Sequence, residues 1–352
     1  MVINKKYINM KNKIVLSAIL VAVIAVGAAL YYKNLKKEEA LKQEGQTKEE
    51  VAEEKKKVRL VLLDGVTDVN FIVDFATDKG IFSDNGLEVE VILAEKQPDQ
   101  ILMAGEADVS VGTFISTLGA YLSEAEPRLL ATPINGFDSV FVSRLSKENV
   151  KDIKRAAVGR FGSGGHFNVD SALRSFGLDV DRDVELVAIS GEGPRLQALA
   201  KGEVDFISLR SEQALQNIEG GENFAVYYPE EITKEIDYIR DIITSPKALT
   251  EKPEELKAFI ISFYQAFEYL SKNPQEARDY IASRYAFSAE EAGKFYGRFE
   301  KAREGVSFIP DPSKWSNVIE RVKKLVEPTN PDKDINGLIY DVFAKEAVAA
   351  GN

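Results

Sequence analysis

One stretch of this chain is written twice. GEADVSVGT at 105–113 returns as GEVDFISLR at 202–210, each with Gly-Glu, an aspartate, and a short apolar run opening into a polar residue. Runs of β-type apolar residues alternate with helix-length segments around both copies. Strands are predicted at 58–63, 87–93, 109–111 and 128–134, with helices at 69–80, 97–105 and 113–122. The pattern restarts with strands at 138–143, 156–159, 184–189, 204–208, 224–228 and 238–244, and helices at 164–176 and 194–201. Such alternation implies an α/β fold whose sheets are mostly parallel and covered on both faces. The repeat implies two similar lobes, with the chain crossing between them near 136–142 and 236–242. From Pro253 onward the period is helical, at 254–271, 274–283, 289–303, 313–325 and 340–349.

The N-terminus follows another logic. Residues 1–13 are basic, and Ile14 to Leu30 carry no charge. With Tyr31 and Tyr32 the apolar stretch 14–32 would extend roughly 28 Å as a helix, close to a hydrocarbon thickness. Lysines precede it and Lys33 follows. An uncleaved membrane anchor and a cleaved signal peptide, with Val26-Gly27-Ala28 before the cut, are both compatible. Residues 33–57 are nearly all Lys, Glu, Gln and Ala, too poor in apolar area to fold alone, and read as a charged tether. The expected organisation is therefore tether to 57, lobe 1 from 58–137 and 240–352, and lobe 2 from 138–239. The folded part is expected to lie outside the cytoplasm.

Composition removes several chemistries. There is no cysteine and only one histidine, His166, so disulfides, thiolate chemistry, a Cys/His pair and a multi-histidine zinc site are excluded. The net charge of −11, without a basic aromatic tract, argues against nucleic-acid binding. No carboxylate spacing singles out an acid–base pair, so no cofactor and no metal are expected, a carboxylate-only metal site or enzyme being the alternative.

The sharpest local motif is RFGSGGHFN at 160–168. Its glycines admit close approach of backbone to a ligand, and amides at a helix start favour anions. A simple helix cap explains the same residues. It is not a P-loop, because Gly-Lys-Ser/Thr is missing. Thr113 caps a helix in GTFIS, with or without a ligand role. Arg210 can hold an anionic group in a forked arrangement, or pair with a nearby acid such as Glu212. Phe114, Phe137 and Phe161 lie near strand ends, where they sandwich an aromatic solute or belong to the core.

Three stretches together resemble one family. ATDKGIFSDNGLEVEVI at 76–92, ILMAGEADVSVGTFIST at 101–117 and LRSFGLDVDRDVELVAISGEGPRLQALAKGEVDFI at 173–207 resemble the solute-binding components of ABC transporters, in the group handling nitrate, sulfonates, taurine and thiamine-pyrimidine precursors. DIKRAAV at 152–158 departs from it, Arg155 and Ala156 standing where a Gly-Lys pair is usual. The resemblance implies a type II periplasmic-binding-protein fold with parallel-rich sheets and a helical C-terminal region. One small solute would sit between the lobes and pass to a membrane permease driven by a cytoplasmic ATPase. It places Asp64, Thr67 and Asn70 at the cleft after the first strand, and Gly112, Thr113, Phe114 and Ser116 at the next helix start. Phe137 and Asp138 stand at the crossing. Ser163, Gly164, Gly165 and His166, with Arg210, face them from lobe 2. The implied solute is anionic or strongly polar, like a sulfonate; an aromatic heterocycle is the alternative. A tethered receptor module and a non-thiol enzyme are further readings. A monomer is expected.

Overall fold

The computed structural model describes residues 56–63, 67–94, 98–135, 139–209, 220–229, 232 and 239–351. The N-terminal segment 14–32, Asp64, Phe137, Asp138 and Arg210 lie outside the described residues. Among the described residues no helix is long and apolar enough to cross a membrane. Lys56–Asn352 form one compact unit.

Ten strands build two five-stranded sheets. They are β1 Lys56–Leu63, β2 Leu87–Ala94, β3 Val109–Thr113, β4 Arg128–Ala131, β5 Val140–Ser143, β6 Arg155–Val158, β7 Glu185–Ala188, β8 Phe206–Leu209, β9 Ala225–Tyr227 and β10 Arg240–Thr244. The first sheet runs β2-β1-β3-β10-β4 and the second β7-β6-β8-β5-β9. β1 begins two residues before the expected Val58, because Lys56 and Lys57 pair with Leu87 and Glu88.

The sheets are more mixed than the sequence predicts. β1, β2 and β3 are parallel, as are β6, β7 and β8, but β10 runs antiparallel to β3 and β4, and β5 antiparallel to β8 and β9. The topology supplies the reason. Parallel strands end at the cleft, whereas a strand arriving from the other sheet enters at its cleft end and must run away from it. β5 and β10 are those strands. The crossings also pair with each other, through an Asn135–Ile239 bridge and an Arg240 amide donating to Ile134 O at 2.8 Å.

The duplicated motif serves the same structural purpose twice. Asp108 accepts from the Arg59 amide at 2.9 Å, Arg59 Nη2 at 2.7 Å and Lys252 Nζ at 2.7 Å. Asp205 accepts from the Lys154 and Arg155 amides at 2.9 and 3.0 Å, and from Arg144 Nε at 2.7 Å. Burial pushes both carboxyls up, but these donors outweigh it and hold both below the usual range. Each aspartate thus bonds backbone or side chain at the start of the neighbouring strand.

The helices that position the site are α1 Asn70–Asp78, α2 Pro98–Met103, α3 Phe114–Ser123, α4 Gly164–Ser175 and α5 Glu192–Ala200. The tail adds α6 Pro253–Lys272, α7 Pro274–Tyr285, α8 Ala289–Arg303, α9 Ser316–Val326 and α10 Val342–Gly351. In α6, Leu256, Phe259, Ile260, Phe263, Phe267 and Leu270 recur at helical spacing and are buried in the core of the first sheet. Ser288 starts α8 with a reciprocal capping box to Glu291.

α9 joins the two halves. Its Val318 and Val322, with Trp315 just before it, pack in a cluster with Phe114 and Leu118 of α3 and with Phe167 of α4. Arg321 reaches from the same helix to Asp170 Oδ2 at 2.8 Å and Ser171 Oγ at 2.7 Å, and lies 3.9 Å from the centroid of the Phe167 ring. A flat cation over an aromatic face, hydrogen-bonded beyond it, is a directional contact between tail and second sheet.

Candidate functional site

The segments that follow β3 and β6 come together: α3 starts at the carboxyl end of β3, and residues 160–162 lead from β6 into α4 beside it. On the first wall, Thr67 and Asn70 are buried and engaged. Thr67 Oγ1 accepts from the Asn70 amide at 3.1 Å, and Asn70 Nδ2 donates to Leu63 O at 2.8 Å. They shape the turn between β1 and α1. Beside them Asp68, wholly buried, accepts from Arg240 Nε at 2.8 Å. Arg240 stands opposite Thr113 in the β3–β10 ladder.

Thr113 occupies the N-cap position of α3 without bonding the helix amides; its hydroxyl donates instead to Ser116 Oγ at 3.1 Å. Phe114 is wholly buried, its ring centroid 4.3 Å from that of Trp315. On the second wall, Ser163 caps α4 by accepting from the His166 amide at 3.3 Å, and its hydroxyl donates to Arg160 O at 2.6 Å. His166 is buried. Its Nδ1 accepts from the Gly162 amide at 3.0 Å, and Gly162 takes φ +74°, a conformation side chains disfavour. Burial lowers the His166 pKa, with Asp170 opposing in part, so the ring is neutral and structural to this turn. Gly164 is buried and Gly165 half-exposed at the start of α4.

A cavity of about 350 Å³ opens between these elements. Asp99 of α2 and Ser116 and Ser123 of α3 line it from the first half, Arg160, Phe161 and Gly162 from the second, and Leu325 and Val326 of α9 close one side. Of the residues singled out from sequence, the cavity brings together Ser116 and Phe161; Ser163 to His166 stand directly behind its Gly162 wall.

Sequence reasoning misses the carboxylates here. Ser110 Oγ donates to Asp99 Oδ1 at 3.3 Å. A Cβ on Gly112 would lie 2.8 Å from Asp99 Oδ1 and 3.2 Å from Asp241 Oδ1, so glycine is what allows both acids to converge on β3. Asp241 is wholly buried, and no well-aligned hydrogen bond reaches either side-chain oxygen. Burial, reinforced by Asp99, pushes the Asp241 carboxyl well above the carboxylate range; Thr117 and Arg240 offset only part. Burial raises Asp99 too, against Ser110 and Arg160. No sequence spacing joins α2 to β10, so only the strand order makes the pair visible.

A pH signature follows. A raised carboxyl pKa means the folded state holds a proton that the unfolded chain releases near pH 4, so this pair's contribution to stability falls as pH rises from there. Asp241→Asn removes the penalty. Relative to the native chain it should gain at least about 1.4 kcal/mol between pH 4.5 and pH 8, one pKa unit's worth. Urea unfolding at both pH values measures this, and a pH-independent difference would contradict it.

The family described as NMT1/THI5 like matches residues 70–277. A putative thiamine biosynthesis protein of Haemophilus influenzae is 29% identical over 240 residues, 63% of this chain and 72% of that protein. Solved structures share the fold at low identity. The putative sulfonate ABC transporter protein SsuA of Methylobacillus flagellatus, described as a periplasmic sulfonate-binding protein, superposes with a TM-score of 0.62 and 14% identity, covering 85% of this chain and 96% of that one. A Candida albicans protein described as exhibiting the generic periplasmic binding protein structural fold gives a TM-score of 0.61 and 17% identity, covering 81% and 96%.

Proposed function

This chain belongs to the NMT1/THI5-like family of solute-binding proteins, and we propose from that premise that its solute is a nitrogen heterocycle of the thiamine-precursor kind. The coarser function comes with the family: extracytoplasmic binding of a small polar organic solute for import by an ABC permease, by a protein that is not an enzyme. Among the described residues no group of three or more His, Cys, Asp or Glu is arranged to hold a metal.

The observation that carries the finer reading is the cavity's mixed chemistry. Asp99 offers an acceptor, Arg160 donors, and Phe161, half-exposed at 51%, an aromatic face. A purely anionic solute has no use for a half-buried carboxylate at the cavity wall, whereas a ring bearing an amino group and acceptors uses all three. The curated relative's description points the same way. In this reading Ser116 and Phe161 line the cavity, and Thr67, Asn70, Gly112, Thr113, Phe114 and Ser163 to His166, with Asp64, Phe137, Asp138 and Arg210, are the further residues proposed to surround the solute. The lobes divide at 137–138 and 239–240, the protein acts as a monomer, and residues 14–32 hold it at the membrane.

Protein purified from its source without refolding should carry its solute, identifiable by mass spectrometry of the denatured extract. A nitrogen heterocycle is expected, and adding it to emptied protein should contract the scattering profile as the halves close. A retained sulfonate or inorganic anion would replace the heterocycle reading with the anionic one.

A further inference from the structure

Two acids meet at Gly112, and only one of them, Asp99, lines the cavity. Asp99 faces the cavity. Asp241 stands behind it on the returning strand β10, wholly buried, with neither oxygen in a well-aligned hydrogen bond. A buried carboxyl with neither oxygen in an aligned hydrogen bond is costly and needs an explanation beyond packing. Every charged group that acts on the pair is identifiable. Arg160 acts on Asp99 from the second half, and Arg240 acts on Asp241 from its own strand while paired with Asp68. Ser110 of β3 donates to Asp99, and the Thr117 hydroxyl of α3 acts on Asp241 without an aligned hydrogen bond. Neither arginine makes a hydrogen bond or ion pair with either acid. The acid facing the cavity thus has acceptor capacity left over.

We infer that Asp99 determines specificity by accepting hydrogen bonds from a nitrogen donor of the solute, an ammonium or amidinium-like group, and that Asp241 positions and tunes it from behind. This rests on the binding reading above and narrows it: the solute must present a proton-bearing nitrogen toward the first half while its acceptor end meets Arg160. The chemistry balances simply. When Asp99 carries its own proton in the empty site, at and below about pH 6, a protonated nitrogen displaces that proton to solvent and leaves Asp99 ionised, while Asp241 behind it keeps its proton. A neutral amino group is met without any proton leaving. Burial holds the pair's protons on to higher pH than ordinary carboxylates, which places this exchange near neutral pH.

The test uses three probes of graded chemistry, titrated calorimetrically into emptied native protein and Asp99→Asn. 4-Amino-2-methylpyrimidine carries an amidine-like edge, taurine an ammonium with a sulfonate, and ethanesulfonate the sulfonate alone. Asp99→Asn should weaken at least one nitrogen probe by tenfold or more and leave ethanesulfonate unchanged. Repeating the titrations at pH 5.5 in buffers of different ionisation enthalpy should show proton release on binding the cationic probe, and that release should vanish in Asp99→Asn. Asp241→Asn should move the pH midpoint of binding, which a merely structural residue would not do. Equal nitrogen-probe affinity in native protein and a folded Asp99→Asn would overturn the inference while leaving the binding function intact. So would ethanesulfonate binding tighter than both nitrogen probes. Failure of all three to bind would count against the inference and the proposed solute class together; a retained heterocycle in the purified protein would then rescue the class alone.

Discussion

Replacing Arg240 with alanine should destabilise the folded unit by about 3–5 kcal/mol, among the largest effects any single polar substitution here will have. The pair it breaks joins residues 172 positions apart, Arg240 Nε to Asp68 Oδ2 at 2.8 Å, with both side chains at most 4% exposed. Alanine would take from the buried Asp68 carboxylate the guanidinium that sits 2.8 Å from it. The reverse follows from the same physics: removing both charges with apolar residues of similar volume, as in Asp68→Leu with Arg240→Met, should recover much of the loss, because desolvating two ions offsets most of their attraction. Urea unfolding of the native chain, the single and the double variants measures both effects. A single-variant loss under 1 kcal/mol would show that water reaches the pair. The consequence extends to the site, since Arg240 stands opposite Thr113 and Asp68 precedes α1.

Phe114→Ala should cost about 3–5 kcal/mol as well, by a different route. The ring is wholly buried against Trp315 and in one cluster with Phe167 of α4. Truncation leaves a cavity where two sheets and the tail helix α9 meet, a place with few ways to collapse. Trp315 is the chain's single tryptophan, which makes the change visible: its emission should shift to the red as the pocket admits water. A variant with native stability, unshifted emission and lost solute affinity would instead make Phe114 a ligand-contacting ring.

Local patterns carried most of the fold. Strands and helices fall within a few residues of the alternation visible in the chain, because the periods of two and 3.6 are properties of neighbouring residues. Gly164 to Ser175 does begin with a Ser163 cap, as its composition implies. The GEADVSV and GEVDFIS echo also survives, with Asp108 and Asp205 in matching roles. Strand direction was less legible. Nothing in RDIIT at 240–244 says that it enters its sheet from the cleft and so runs antiparallel.

The candidate site divides the same way. Ser116, Phe161 and the Ser163–His166 turn were visible because glycine, serine and helix starts leave local marks. Asp99, Asp241, Asp68, Arg240 and Arg321 were not. An isolated acid or arginine in sequence looks like a solvated surface charge, and what makes it otherwise is the partner that another strand or helix brings. The sequence by itself determined the alternation, the duplication and the absence of thiol and multi-histidine chemistry. The tertiary structure alone decided which charges lose their water: β10 returning beside β3 carries Arg240 to Asp68 on one face and Asp241 to Asp99 on the other, because successive residues of a strand point to opposite sides.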